Sequence, residues 1–135
     1  MRTENIKFKA KELGTEKWKE GFLQRDMDYN LCILIANKED HFWYWTQINS
    51  STVCQFTGAK DCDGTSIYEH DLLRSEKTGS IYEVVWNQGN TSFSLVNTEY
   101  PVLYPTNTMG RMLHNRQLKV VGNKFDKKGI VYEKE

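Results

Sequence analysis

Gln55-Phe56-Thr57-Gly58-Ala59-Lys60-Asp61-Cys62-Asp63-Gly64-Thr65-Ser66-Ile67-Tyr68-Glu69-His70-Asp71-Leu72-Leu73 decides how the rest of the chain is read. Within it, Asp61-Cys62-Asp63-Gly64 has the residue order of a type I turn closed by a glycine at positive φ, a link that joins two strands through a bulge. Thr57-Gly58 reads as a second turn just before it. Ile67-Tyr68 then opens a strand bound for the core, with Glu69 and Asp71 expected near the rim. Residue type follows backbone demand throughout. The stretch specifies a fold and names no reaction.

Outward from it, the flanks read as short strands. Ile6, Phe8 and Ala10 alternate with Lys7, Lys9 and Lys11, the period of a half-buried strand. Trp18 to Leu23 fits either a strand or a broken turn. Met27, Tyr29 and Leu31 alternate into an apolar run ending at Ala36, and Asn37–Asp40 turns it back into His41–Ile48 as a hairpin. Thr52–Thr57, Ile81–Trp86, Thr91–Val96 and Leu118–Val121 read as further strands. The loop from Asn97 to Pro105 holds both prolines. One short helix, capped by Thr106 or Thr108, carries Met109, Met112 and Leu113 at helical spacing to about Gln117. The expected fold is mainly β: an N-terminal antiparallel layer over about 1–56, packed on a small SH3-like β-barrel over 57–122, with 123–135 a charged, loose tail.

At 135 residues the chain suits one such unit, 1–135, able to bury a core without disulfide or metal staples. Mean hydropathy is −0.67, so the apolar content must be concentrated. It is, in 4 Trp, 7 Tyr and 6 Phe, the side chains that bury most area. Eighteen basic and eighteen acidic residues cancel, which argues against non-specific coating of nucleic acid, a mode that neutralises many phosphates. Regionally the balance is +2 over 1–26, −5 over 27–73 and +3 over 74–135. Cys32, Cys54 and Cys62 are an odd set without framework spacing. No apolar run has transmembrane length, and the N-terminus does not lead into a signal-peptide core. A cytoplasmic protein without a membrane partner is expected.

Several patterns mimic catalytic or metal sites. Asp61-Cys62-Asp63-Gly64-Thr65 spells the Asp-x-Asp-Gly-Thr nucleophile motif of haloacid dehalogenase-type phosphatases, but that chemistry needs an apolar parallel strand delivering the first Asp, and Thr57–Lys60 is read as a turn. Asp61, Asp63 and Gly64 also imitate part of a Ca²⁺ loop, without its remaining oxygen ligands or flanking helices. Cys54, Cys62 and His70 lack the tight knuckle of a zinc site. His41 and His114 have no recognisable nucleophile partner. No catalytic, cofactor or metal residue is assigned, and a non-enzymatic role is expected.

The quoted stretch resembles the core of the YopX family of phage and prophage proteins, Gln-x-Thr-Gly-Leu-x-Asp-x-x-Gly-x-x-Ile-Tyr-Glu-Gly-Asp-Ile/Leu. Gln55, Thr57, Gly58, Asp61, Gly64, Ile67, Tyr68, Glu69 and Asp71 fit it. Ala59 stands for the usual Leu and His70 for the usual Gly. Ile6-Lys7-Phe8-Lys9-Ala10 is similar to the family's opening strand and Val120-Val121-Gly122-Asn123 to its closing one. The resemblance implies a phage context in a host cell and a mostly β fold. It supplies no assigned activity and no catalytic residues.

Two surfaces are candidates for function. Trp43, Tyr44 and Trp45 put aromatics on both faces of one strand, which suits a phage or host protein partner or a homo-oligomer contact. Arg111, Arg116, Lys119 and Lys124, with Lys127 and Lys128 beyond, make the most basic segment and the candidate phosphate contacts of an alternative nucleic-acid-binding role. An enzyme of unknown class is the third reading.

Overall fold

A computed structural model describes residues 2–104, 107–115 and 117–126. The chain divides into two units, Met1–Phe56 and Thr57–Glu135. In the first, β1 (Phe8–Lys11), β2 (Trp18–Arg25), β3 (Leu31–Ala36) and β4 (Trp43–Gln47) form an antiparallel meander, and the start of β5 (Cys54–Lys60) pairs with β1. Strand order is therefore β4–β3–β2–β1–β5. Leu23 lies opposite Ile33, and Ile33 opposite Thr46, so these residues share a face. On it Ala10, Ile33 and Ile48 are buried, with Phe8, Leu23, Leu31, Ile35 and Val53 packed around them.

β1 and β4 are drawn together at one end. The Leu13 amide donates to the Gln47 carbonyl (3.0 Å) and the Asn49 amide to the Lys11 carbonyl (2.8 Å), placing Ile48 in the core. Gly21 allows the close approach of β2 and β3: a Cβ there would lie 2.2 Å from the Leu34 carbonyl oxygen. Two sequence expectations change. Trp18–Arg25 is strand throughout, whereas Met27 and Tyr29 belong to the turn after it. Asp26 Oδ1 accepts the amides of Asp28 and Asn30, both at 2.9 Å, and Tyr29 takes φ 64°. This Asx-type closure outcompetes the apparent alternation.

In the second unit β6 (Ser66–Tyr68) neighbours the later part of β5. β7 (Asp71–Ser75), β8 (Ile81–Asn87), β9 (Ser92–Asn97) and β10 (Leu118–Asn123) form a four-stranded antiparallel sheet in the order β10–β7–β8–β9. The helix α1 (Met109–Asn115) contributes Met109 and Met112 to a core with Ile67, Leu73, Tyr82, Val84, Leu95 and Leu118. Fully burying an aliphatic side chain of this size is worth about 1.5–3 kcal/mol. Thr108 precedes α1 and its hydroxyl accepts the Arg111 amide at 3.4 Å, while Thr106 lies outside the described residues.

The SH3-like barrel expected over 57–122 is not formed, because no sheet closes. Each free edge meets something other than the opposite strand. Along β9, the Leu95 amide donates to the Asn107 carbonyl (3.0 Å) and Ser94 bridges Thr108. At β10, the Cys62 amide donates to the Leu118 carbonyl (3.3 Å) and Asp61 Oδ2 accepts the Val120 amide (2.9 Å). The approach to α1 and the Asp61–Gly64 turn thus occupy the edges that closure would need.

Gly64 takes φ 84° in the turn joining β5 to β6, where Asp61 Oδ1 accepts the amides of Asp63 (2.9 Å) and Thr65 (2.8 Å). Thr57-Gly58 is not a turn: both lie within β5, Gly58 at φ 86°, with the Thr57 hydroxyl donating to the Ile67 carbonyl (2.7 Å). Asp71, expected near a rim, is fully buried, because its carboxylate accepts the Tyr68 amide (2.7 Å) and the Asn123 side-chain amide (2.9 Å). The tail expected to be loose from 123 begins in a bonded turn, the Asn123 amide donating to Asp126 and the Phe125 amide to Asn123 Oδ1, both at 2.9 Å. Residues 127–135 lie outside the described residues.

Asp61→Ala leaves three backbone amides without their acceptor and should cost on the order of 3 kcal/mol, read from urea midpoints at unchanged slope. Asp61→Asn should recover only part of this. If its single oxygen serves the turn, its amide nitrogen faces the Val120 amide, donor against donor.

Candidate functional site

The face of the first unit opposite its core is built by alternation. Trp43 and Trp45 of β4 lie opposite Ala36 and Leu34 of β3, and Leu34 lies opposite Phe22 of β2, so these side chains share one face. Phe22, Trp43 and Trp45 are 45%, 54% and 61% exposed, with the Phe22 and Trp43 rings 6.0 Å apart. Trp18, further along β2 on the same face, is instead covered by the ammonium groups of Lys9 and Lys11, at 4.8 and 5.5 Å from its ring centre. The uncovered aromatics therefore gather at the β4 edge.

Tyr44 belongs to the other face and is half exposed. Its hydroxyl donates to the Asp40 carboxylate, which holds Asp40 below the usual carboxylate range and pushes the Tyr44 phenol up. The aromatics divide between the two faces of the strand as the alternation expects, with Trp43 and Trp45 on one and Tyr44 on the other. Phe22, which completes the Trp face, escaped the sequence reading. Its signal lay in Trp18-Glu20-Phe22, an alternation visible only once Trp18–Arg25 is known to be strand.

A groove of about 440 Å³ lies beside Trp45, lined by Gln24, Arg25, Asp26, Met27, Asp28 and Cys32. Asp26 organises it. The Asn30 amide, the largest influence, and the Gln47 side-chain amide (3.2 Å) hold its carboxyl below the ordinary value of 3.8. Burial, reinforced by Asp26, pushes the Cys32 thiol up.

In the second unit the acidic pair of the Asp-x-Asp-Gly-Thr pattern is committed elsewhere. Both Asp61 carboxylate oxygens accept backbone amides, and Asp63 lies 3.5 Å from Lys119 Nζ. Lys119 is also 3.0 Å from Glu76, and this contact, followed by Asp63, pushes its amine up while holding Glu76 down. Lys119 was a candidate phosphate contact. Of the others, Arg111 is on α1 and Lys124 follows β10 with its Nζ 5.8 Å from the Phe125 ring centre. Arg116, Lys127 and Lys128 lie outside the described residues. Cys54 is buried and Cys62 exposed, and among the described residues no three His, Cys, Asp or Glu side chains are grouped to hold a metal. No described helix is long and apolar enough to cross a membrane.

A family model described as YopX protein matches residues 7–129. The chain belongs to the YopX family. It is thus a protein of phage and prophage context, and no curated protein matches it. Much of the YopX pattern now has a physical explanation: Asp61 and Gly64 fix the turn between β5 and β6, the Thr57 hydroxyl ties β5 to the Ile67 carbonyl, and Asp71 is a buried polar anchor. The glycine it usually carries before the final Asp is also explained. His70, standing there, has φ 68°, a region that suits glycine. In compensation its Nδ1 is 3.0 Å from a Glu83 carboxylate oxygen and its ring meets the Phe125 ring edge-on at 5.2 Å.

His70→Gly should therefore be more stable than His70→Ala by about 1 kcal/mol in urea denaturation, since both lose the ring but only glycine relieves the backbone. Equal stabilities would mean that the left-handed conformation carries no cost. A pH series tests Asp26. Its folded-state pKa is depressed, so its contribution is present above about pH 4 and lost as pH falls through the folded value. Asp26→Asn should lower the Tm at pH 7, and the gap to the native protein should narrow by pH 3.

Proposed function

We propose that this YopX-family protein is a non-enzymatic binding module, working in the cytoplasm of the host through protein–protein contact at the aromatic face of β2–β4. The observation that carries the reading is the uncovered set Phe22, Trp43 and Trp45 on one face at a sheet edge, beside the Trp45 groove. Aromatic rings supply large contact area at low conformational cost, and such patches mark interaction sites on soluble proteins. Where this face meets water over Trp18, two lysines cover the ring; over Trp43 and Trp45 no cation does so among the described residues.

Phosphate binding is the weaker reading. Lys119 is already paired with Asp63 and Glu76, so a phosphate would have to displace two carboxylates. Affinity capture from phage-bearing host cells, with and without nuclease, separates the two. A discrete polypeptide should be retained after nuclease and lost with Trp43→Ala/Trp45→Ala. If binding instead used about four phosphates, affinity for DNA or RNA would fall roughly a hundredfold between 50 and 200 mM salt. Salt-sensitive recovery that disappears with nuclease and is indifferent to the Trp changes would overturn the proposal.

A further inference from the structure

The backbone of β4 has a direction that its side chains do not show. In an antiparallel pair, residues alternate between those that exchange hydrogen bonds with the partner strand and those whose amide and carbonyl point away. The Asn37 amide donates to the Phe42 carbonyl (2.9 Å) and the Ile48 amide to the Leu31 carbonyl (3.1 Å). With the β3–β4 register, this makes Ile35–Tyr44 and Ile33–Thr46 the bonded pairs. Trp43, Trp45 and Gln47 therefore direct their amides and carbonyls out of the sheet edge. Gln47 shows it directly, because its carbonyl takes the Leu13 amide at 3.0 Å. For Trp43 and Trp45 no backbone acceptor or donor is seen among the described residues, and β4 ends its sheet.

We infer that this edge pairs with β4 of a second copy, antiparallel about a twofold axis at Tyr44, with Trp43 opposite Trp45 of the partner strand. This rests on the reading of the Trp face as a protein contact and names its occupant. The register is the one in which the edge complements itself. Trp43 and Trp45 both point outward and are two residues apart, so a twofold at Tyr44 sets outward residue against outward residue twice, making four backbone hydrogen bonds. Paired residues share a face, so each junction also sets one indole against another, and the four indoles form a row flanked by Phe22 of each copy. The two Tyr44 side chains meet on the opposite face.

Three further observations favour a second copy over an unrelated strand. From Phe42 to Gln47 the edge holds no charge and no proline, the devices by which lone edges are usually protected. Residues 1–56 carry eight Lys or Arg and eight Asp or Glu, so two copies meet without net repulsion. Half-exposed indoles supply roughly 300–600 Å² among four, a substantial part of the ~1,200 Å² of a stable interface, with Phe22, Phe42 and Tyr44 available for the rest. The Gln47–Leu13 bond already closes the next outward position, so pairing is confined to the two Trp positions, and a twofold contact uses both edges and stops at two.

Sedimentation of the full chain between about 1 and 500 µM, with circular dichroism as a check on folding, tests the register. The native protein should reach twice the chain mass. Trp43→Lys and Trp45→Glu, each setting a charge against an indole, should sediment at one chain mass while folded. The double variant Trp43→Lys/Trp45→Glu should return to twice the chain mass, because the introduced ammonium of one copy then faces the introduced carboxylate of the other at both junctions. One chain mass for the native protein throughout, a dimer indifferent to the single changes, or a double variant that stays single would each overturn the inference. A native monomer that still loses a host polypeptide with Trp43→Ala/Trp45→Ala would remove the second copy as occupant and leave the proposed function standing.

Discussion

Asp61 and Asp71 connect the turn-rich start of the second unit to a strand that arrives much later in sequence. Asp61 reaches Val120 across 59 residues, and Asp71 reaches Asn123 across 52. A buried carboxylate is costly unless its oxygens are filled, and here backbone amides and one side-chain amide fill them. The constraint works in both directions. The Asp61 turn and the Tyr68–Asp71 corner offer β10 two acceptors beside β7, and β10 brings the Val120 amide and the Asn123 side-chain amide to the carboxylate oxygens that the turn amides leave. The core of Ile67, Leu73, Val84 and Leu118 packs within that frame.

Much of this was legible because it is local. A turn that needs positive φ at Gly64 and an amide acceptor at Asp61 shows in residue type alone. The strands read at Ile81–Trp86 and Thr91–Val96 are local too, and form with slightly shifted ends as the paired Ile81–Asn87 and Ser92–Asn97. What was not legible depends on residues distant in sequence. Asp71 looks like a rim residue until Asn123 is known to lie beside it. A barrel is the natural reading of several short strands, and only the Asn107–Thr108 and Asp61 contacts show that both sheet edges are otherwise engaged. Met27 and Tyr29 mislead because alternation is a weak signal beside an Asp able to accept two amides ahead of it.

The candidate surface was legible in kind and not in geometry. Phe42-Trp43-Tyr44-Trp45 announces aromatics on both faces of a strand, but only the fold shows that on the Trp43 and Trp45 face Lys9 and Lys11 lie over the ring of Trp18. The basic segment misled in the opposite sense. Lys119 reads as available charge in sequence, and the fold spends it on Glu76 and Asp63, so that a basic stretch becomes a brace between β10, the end of β7 and the motif turn.

The single hydrogen bond from Leu13 to Gln47 bears on growth as well as on shape. Fibrillar aggregation propagates because each added strand renews a long template of unsatisfied amides and carbonyls. Here the template is a stub. One end is sealed by the chain's own backbone and the other runs into the Asn37–Phe42 hairpin turn, leaving two outward residues between. Such an edge offers enough to recognise a partner and too little to nucleate a filament, so an uncharged aromatic strand can be kept at the surface without becoming an aggregation hazard.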